Sequence, residues 1–176
     1  MNPSESLRGV ATLTQTSRGA APGRLRKAMG RFVTGVTVVT TAQRDQVHGM
    51  TANGVMSVSL DPPLVVVSLG DCKMDALLPR TRRYGISVLG ADQEALAAHF
   101  AGRPVEEVAP AFTWWKELPF VEGALAQVGC RVEAIHEAGD HRLWVGRVEY
   151  MEHRDGDPLL FYAGKFGRLG VPKAAD

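Results

Sequence analysis

The chain has few cysteines and no long apolar segment. Cys72 and Cys130 are the only cysteines among 176 residues, and they lie far apart, without the spacing of a disulfide framework or a zinc ribbon. We therefore expect free thiols and a cytoplasmic location. No window approaches the roughly 18 consecutive apolar residues of a membrane span. Residues 1–21 also lack the apolar stretch of a secretory signal, so we expect no membrane partner.

Charge of one sign is also lacking. Twenty basic residues stand against nineteen acidic ones, which leaves a formal net charge of +1. No broad electrostatic field therefore favours nucleic acid, and we expect no nucleic-acid partner.

Metal-ligand motifs are absent as well. The segment His136-Glu-Ala-Gly-Asp-His141 approximates a zinc-protease motif, but its second histidine comes one residue late and Gly139 opposes a helix. We predict no metal site.

The length and the apolar content of 45% are sufficient for one domain with a single core. We expect a disordered lead-in over residues 1–21, a domain over 22–170 and a short tail over 171–176. Residues 25–32 have the apolar spacing of an amphipathic helix, and 91–100 have a helical composition. Residues 103–119 lack periodicity. Strands are predicted over residues 35–41, 46–51, 63–69, 84–89, 124–136, 141–152 and 159–163.

Six or seven strands joined mostly by short turns, with two or three short helices, predict a mostly β fold. We expect a closed antiparallel barrel rather than a parallel βαβ sheet. The glycine motif of a dinucleotide-binding Rossmann fold is missing, so any nicotinamide cofactor must be held another way.

Residues 48–63 form the first segment with chemical potential. Its small residues, among them Thr51, Ala52, Gly54 and Ser57, allow the backbone to approach a flat ring, and its polar side chains can bond the edge of that ring. An ordinary strand-turn-strand explains the same pattern.

Residues 68–75 form the second segment. A glycine-containing loop that enters a short helix exposes backbone N–H groups, and Lys73 adds positive charge, which suits a phosphate. A solvated surface loop is an equal alternative.

Residues 138–141, Ala-Gly-Asp-His, form the third segment. Gly139 permits a tight turn, Asp140 accepts hydrogen bonds, and His141 offers a donor or a flat surface to a ligand. A hairpin turn held by Asp140 alone is the alternative.

Taken together, these segments resemble a known family. Spread in order over residues 24–170, the motifs are similar to those of the short-chain flavin reductases, the reductase components of two-component flavin-dependent monooxygenases. The motifs that carry the resemblance are residues 26–40, 48–53, 57–63, 100–102, 138–141 and 157–161. Gly54 departs from the alanine or serine that is more usual there.

The resemblance implies an FMN-binding type of split β-barrel, usually a homodimer, with FMN or FAD near the subunit interface and NADH or NADPH as reductant. It implies a catalytic role for His141 and Asp140 beside the nicotinamide. It also assigns residues to three groups of contacts. These are Thr51, Ala52, Asn53, Gly54, Val55, Ser57 and Val58 at the flavin ring and ribityl chain; Cys72, Lys73 and Arg103 at the phosphate; and His136, Gly139, Gly164, Lys165 and Phe166 at the nicotinamide nucleotide.

The implied function is hydride transfer from nicotinamide C4 to flavin N5, with the reduced flavin passed to a partner monooxygenase. The protein would act by placing the two rings and through local charge. Two alternatives remain open at this stage. One is a non-catalytic flavin- or haem-binding module with the same barrel, and the other is an oxidase of its own substrate, similar to the pyridoxine-phosphate oxidases.

Overall fold

The computed structural model describes residues 21–44, 46–103 and 108–170. The predicted lead-in and tail lie outside these residues, apart from Ala21. Three helices and twelve strands occur in the described part of the chain. In order they are α1 (Pro22–Met29), β1 (Thr34–Gly35), β2 (Thr37–Gln43), β3 (Gln46–Ala52), β4 (Val55–Leu60), β5 (Pro63–Gly70), α2 (Lys73–Thr81), β6 (Arg83–Val88), α3 (Glu94–Phe100), β7 (Phe112–Trp115), β8 (Leu118–Val121), β9 (Ala126–Ala138), β10 (His141–His153), β11 (Leu160–Tyr162) and β12 (Lys165–Gly167).

The main sheet has seven strands in the order β3-β2-β6-β9-β10-β5-β4, and every pair is antiparallel. Its two edge strands, β3 and β4, are consecutive in the chain and are separated only by Asn53 and Gly54. The sheet therefore curls until its edges meet at this two-residue turn. The result is a barrel that is split between β3 and β4, and a split barrel is the fold that the family resemblance implies.

The barrel interior forms the larger of two apolar clusters. Val39, Val67, Ile86 and Trp144 are buried there, and α2 closes one end with Met74 and Leu78. Glycines make room for the largest side chains: a Cβ at Gly146 would lie 2.3 Å from the Tyr84 hydroxyl oxygen. A second cluster packs α3 against the small β1-β11-β12 sheet, through Leu89, Ala97, Leu159 and their neighbours.

Two differences from the sequence predictions have clear physical causes. Helix α3 begins at Glu94 rather than at residue 91, because Gln93 closes a turn with Gly90: its side-chain oxygen accepts the Gly90 N–H at 3.0 Å. Residues 103–119, which lack periodicity, include strand β7 and the first two residues of β8. All four residues of β8 are buried. The strand therefore lacks the alternation of buried and exposed residues that marks a half-exposed strand in a sequence.

The small strand β12 also escapes sequence prediction, because three residues are too few to show a period. No helix in the described residues is both long and apolar enough to cross a membrane. Among the same residues, no group of three or more His, Cys, Asp or Glu side chains is arranged to hold a metal ion.

Candidate active site

The turn at the split of the barrel borders a cavity. Asn53 and Gly54 are exposed and line a cavity of about 850 Å³, which we call the split cavity. The Ser68 N–H donates to the Gly54 carbonyl at 2.8 Å, which fixes the turn against β5. A Cβ at Gly54 would lie 3.3 Å from the Ser68 Cβ, so glycine here lets the turn lie close to β5.

Residues from both ends of the domain also line the split cavity. Helix α1 and the residues after it contribute Arg26, Lys27 and Arg31, and the turn between β11 and β12 contributes Gly164. The Ala163 N–H donates to the Gly30 carbonyl at 2.8 Å, which ties that turn to the end of α1. Gly164 has φ +83°, a conformation that favours glycine.

The end of the β9-β10 hairpin forms a second site. Gly139 and Asp140 make a two-residue turn in which only Gly139 has positive φ, +67°, as in a type II′ turn. Nδ1 of His141 lies 2.8 Å from Oδ1 of Asp140, and this hydrogen bond holds the pKa of the Asp140 carboxyl below its ordinary value. The His141 ring lies over Gly70. A Cβ added to Gly70 would be 3.5 Å from Nε2 of His141.

These residues line a smaller cavity of about 200 Å³, which we call the hairpin cavity. The site contains a residue that sequence reasoning missed. Asp75 of α2 is buried, and its Oδ1 accepts the Trp144 Nε1–H at 2.8 Å while its Oδ2 lies 2.7 Å from Nη2 of Arg142. Because Arg142 follows His141 directly, Asp75 fixes the hairpin end against α2. Only the fold brings positions 75 and 144 together, so no local pattern could have revealed the pair.

The start of α2 carries the predicted phosphate residues. Cys72 precedes the helix, half-buried, with its Sγ 3.7 Å from Sδ of Met50, and Lys73 is exposed at the first helical position. Partial burial lowers the pKa of His48 on β3, and the nearby Lys73 ammonium lowers it further. Lys73 and His48 therefore lie near each other at a helix N-terminus, where backbone N–H groups favour an anion.

Several of the predicted flavin contacts also make contacts within the protein. The Thr51 hydroxyl donates to the Ala97 carbonyl of α3 at 2.6 Å, so its proton is not directed at a ligand. Ala52 is buried in the barrel core, and Val55 packs against that core. Ser57 and Val58 are exposed on edge strand β4 and line neither of the two cavities.

The remaining predicted residues lie at the margins. His136 is exposed on β9 and lines neither cavity, although its neighbour Glu137 lines the hairpin cavity. Arg103 is exposed after α3. Lys165 is exposed, whereas Phe166 packs edge-on against Phe161 with ring centroids 5.7 Å apart, so Phe166 belongs to the second core cluster.

The residues predicted to contact flavin and those predicted to contact the nicotinamide nucleotide share one cavity only in part. Asn53, Gly54 and Gly164 line the split cavity together, whereas Gly139, Asp140 and His141 line the hairpin cavity. Strand β5 links the two: Ser68, bonded to Gly54, is two residues from Gly70, which pairs with His141. Two residues of strand span about 7 Å, so an extended ligand along this end of β5 can reach both groups.

A protein-family model described as the flavin reductase like domain matches residues 29–170. The chain belongs to this flavin reductase-like family. The predicted family is therefore confirmed, and the mostly β split-barrel fold is confirmed with it.

Other members of the flavin reductase-like family match over most of their lengths. A Rhodococcus protein named NADH-dependent flavin reductase is 53% identical over 152 residues, which cover 84% of this chain and 86% of the relative. The reductase component of 4-hydroxyphenylacetate 3-monooxygenase from Thermus thermophilus is 40% identical over 149 residues, 84% of this chain and 96% of the relative. The solved structure of the flavin reductase PheA2 has a TM-score of 0.83 at 43% identity, covering 86% of this chain and 99% of that one.

Proposed function

We propose that this chain is an NADH-dependent flavin reductase that transfers hydride from the reduced nicotinamide to FMN or FAD. The observation that carries the proposal is the family match over residues 29–170, together with 53% identity to a relative named NADH-dependent flavin reductase. The cavities fit such ligands: a glycine turn at Gly54 admits close approach, and about 850 Å³ accommodates a large planar molecule.

When bound, the nicotinamide supplies a hydride from its C4, and the flavin accepts it at N5. The residues of the chain position the two ligands. Asn53 provides an amide that can bond the polar edge of a ring placed at the split, and Gly54 leaves the face of that ring unobstructed. His141 presents its imidazole at the hairpin cavity, and Asp140 holds that imidazole through Nδ1. The hydrogen bond leaves Nε2 as the nitrogen available to a ligand.

The phosphate group of the flavin has a proposed position at the start of α2. Lys73 supplies the charge there, and the first turn of the helix supplies unpaired N–H groups. Cys72 and Arg103 are secondary members of this group. Partial burial and the Lys73 ammonium lower the pKa of His48, which favours its uncharged form.

The test is to mix purified protein with NADH and either FMN or FAD and to follow the nicotinamide absorbance. We expect NADH oxidation that depends on both protein and flavin. Flavin binding without NADH oxidation would instead favour a non-catalytic binding module. Replacing NADH by NADPH in the same assay measures the preference between the two reductants.

We also propose that the chain acts as a homodimer. Edge strand β4 exposes three apolar side chains, those of Met56, Val58 and Leu60, and Leu60 is 90% exposed. An exposed apolar edge strand is a surface that proteins ordinarily cover. The chain mass is 19.0 kDa, and sedimentation equilibrium should give twice that mass. The double variant Val58→Lys and Leu60→Lys should shift the equilibrium to the monomer.

The reduced flavin is the proposed product, and a flavin-dependent monooxygenase is the proposed partner that consumes it. The relative from Thermus thermophilus, a reductase component of a monooxygenase, supports this assignment. We place the protein in the cytoplasm, since Cys72 and Cys130 are both free thiols. Release of reduced flavin into solution, measured by its transfer to an added monooxygenase component, tests the role as a supplier.

A further inference from the structure

The split cavity has a wall of cations that the proposed hydride transfer does not use. Arg26 and Lys27 lie in the last turn of α1, and Arg31 follows it, all three exposed. None of the described residues that line this cavity is acidic. Within the described part of the chain, none of the three cations has an ion-pair partner.

The dipole of α1 accounts for only part of this arrangement. Cations are favoured at a helix C-terminus because the last carbonyls carry partial negative charge. That effect acts on Arg26 and Lys27 whether or not a cavity is present, and it does not explain why Arg31, beyond the helix, lines the same cavity without a carboxylate. Three positive charges beside one concave surface indicate an anionic ligand.

A second observation comes from Thr34 in the same cavity wall. Its hydroxyl oxygen is buried and has no hydrogen-bond partner among the described residues. A buried hydroxyl without a partner is destabilising unless another molecule bonds to it. The wall therefore offers a polar group in addition to the three charges.

The cavity also has aromatic surface. Phe32 is 68% exposed at its rim, and Phe161 is half-buried in its wall. Exposed aromatic rings provide a stacking surface for a planar base. Cations, an unsatisfied hydroxyl and aromatic rings together match a nucleotide with more than one phosphate.

The position of this wall is fixed by the fold. The Ala163 N–H bond to the Gly30 carbonyl anchors the end of α1, and the Arg31 guanidinium carbon lies 5.9 Å from the centroid of the Tyr162 ring. These contacts hold the cation wall in the same cavity as Asn53 and Gly54.

We propose that Arg26, Lys27 and Arg31 bind the adenosine-side phosphate of a dinucleotide, with its adenosine over Phe32 and Phe161. This inference rests on the proposed function, because FAD and NADH are the two dinucleotides that the reaction supplies. It assigns the part of the split cavity that α1 and Arg31 line to the adenosine half of one of them, and it leaves Asn53 and Gly54 to the ring. It predicts a preference for that dinucleotide over its mononucleotide counterpart.

The experiment uses the full chain and the triple variant Arg26→Gln, Lys27→Gln and Arg31→Gln. The matched control is Arg24→Gln, on the same helix but outside the cavity lining. KM is measured for FAD, FMN, NADH and reduced nicotinamide mononucleotide, each with the second substrate saturating. Calorimetric binding of ADP provides a readout that is independent of turnover.

We expect the triple variant to lose ADP binding and to raise KM for one dinucleotide at least about tenfold, the loss expected for one charge-assisted hydrogen bond. The KM for the corresponding mononucleotide should not change. If the KM rises for FAD but not for FMN, the ligand is FAD, and if it rises for NADH but not for reduced nicotinamide mononucleotide, the ligand is NADH. Thr34→Val should raise the same KM without lowering Tm, because the hydroxyl has no partner to lose.

Three results would overturn the inference. Equal shifts for FMN and FAD would assign the cations to the phosphate that the two flavins share. Equal shifts for all four substrates with a changed sedimentation mass would assign the face to contact between copies of the chain. Unchanged KM values and retained ADP binding would remove the cations from ligand binding altogether. Failure of the proposed function is distinguishable, since the unaltered chain would then oxidise no NADH with any flavin.

Discussion

Arg142 and Asp75 form an ion pair of 2.7 Å that joins the end of the β9-β10 hairpin to helix α2. The Asp75 side chain is 3% exposed and the Arg142 side chain is 40% exposed, so the carboxylate is the buried partner. The same carboxylate accepts the Trp144 indole N–H. One aspartate thus connects the helix that begins at Lys73 with the strand that begins at His141.

This connection predicts that Asp75 is a positioning residue. Asp75→Asn keeps an acceptor for Trp144 but loses the charge opposite Arg142, so we expect a higher KM for NADH with little change in the KM for flavin. Asp75→Ala also leaves the indole N–H unsatisfied, which costs about 1–3 kcal/mol of unfolding free energy. Steady-state kinetics and urea unfolding measure the two effects.

A purely structural role would give a different pattern. In that case Asp75→Asn would alter stability while leaving both KM values unchanged. Glu117→Gln is the control, because Glu117 is exposed, lines neither the split cavity nor the hairpin cavity and has no ion-pair partner in the described part of the chain.

The His141 side chain is expected to act on NADH rather than on flavin. His141→Ala removes the ring that lies over Gly70 and should lower kcat/KM for NADH while leaving flavin affinity unchanged. Asp140→Asn should have a smaller effect in the same direction, because it weakens the bond that orients the imidazole. Flavin affinity by fluorescence titration and NADH oxidation rates separate these effects.

His153→Ala is the matched control, since His153 is an exposed histidine at the far end of β10. A His141→Ala protein with the activity of the unaltered chain would remove His141 from the mechanism. Tm should not change in Asp140→Asn, because the Asp140 carboxylate is 95% exposed.

Thr51 should matter for stability and not for flavin affinity. Its hydroxyl donates to the Ala97 carbonyl, which ties β3 to α3. Thr51→Val is expected to lower the free energy of unfolding by about 1 kcal/mol, and Thr51→Ser to restore most of it. A weaker flavin affinity in Thr51→Val with unchanged stability would reinstate the hydroxyl as a ligand contact.

The stability contribution of Glu149 should depend on pH. Hydrogen bonding from Arg83 holds the pKa of Glu149 below its ordinary value of 4.5, and Arg131 adds to this effect. Because the pKa of Glu149 is lower in the folded state than in the unfolded state, its carboxylate stabilises the fold fully at pH above the unfolded-state pKa. That stabilisation is lost as pH falls through the folded-state pKa. Both partners are partly exposed, so it should not exceed about 1 kcal/mol.

We therefore expect Glu149→Gln to lower Tm at neutral pH and to match the unaltered chain once the medium is acid enough to protonate Glu149. Thermal unfolding across a pH series tests this. Glu117→Gln serves as control, because Glu117 is exposed and has no ion-pair partner in the described part of the chain. A difference in Tm that persists at low pH would show that Glu149 acts through packing instead.

The two cysteines should differ in reactivity. Burial raises the pKa of the Cys130 thiol to about 12, whereas Cys72 is half-buried at the start of α2. Because the thiolate is the reactive form, iodoacetamide should modify Cys72 and leave Cys130 intact in the folded protein. Mass spectrometry of peptides from the folded and urea-unfolded chain measures this directly.

Much of the fold could be predicted because its signals are local. The β-branched runs that became β2 and β5, and the small residues that became the Gly139 turn, act through neighbours in sequence. The hairpin of β7 and β8 could not be predicted in this way. Its strands are short, and Leu118, Phe120 and Val121 are buried against the barrel regardless of period.

The candidate site was predicted as a set of segments rather than as contacts. Asn53, Gly54, Gly139 and His141 line cavities in the folded chain, as residues of exposed turns can, and their predicted ligand contacts stay predictions. Thr51 and Phe166 instead bond or pack within the protein, with α3 and Phe161 respectively. The sequence shows which side chains are available, and it does not show which neighbours have already engaged them.

By itself, the sequence determined the family, the antiparallel barrel, a strand-turn-strand over residues 48–63 and the turn at 138–141, since these depend on residue type, order and spacing. Only the tertiary structure decided that Asp75 meets Arg142 and Trp144, that the Thr51 hydroxyl serves α3, and that α1 brings its cations to the split. Those relationships join residues from distant parts of the chain. They exist because the closed sheet and its covering helices fix distances that no local pattern encodes.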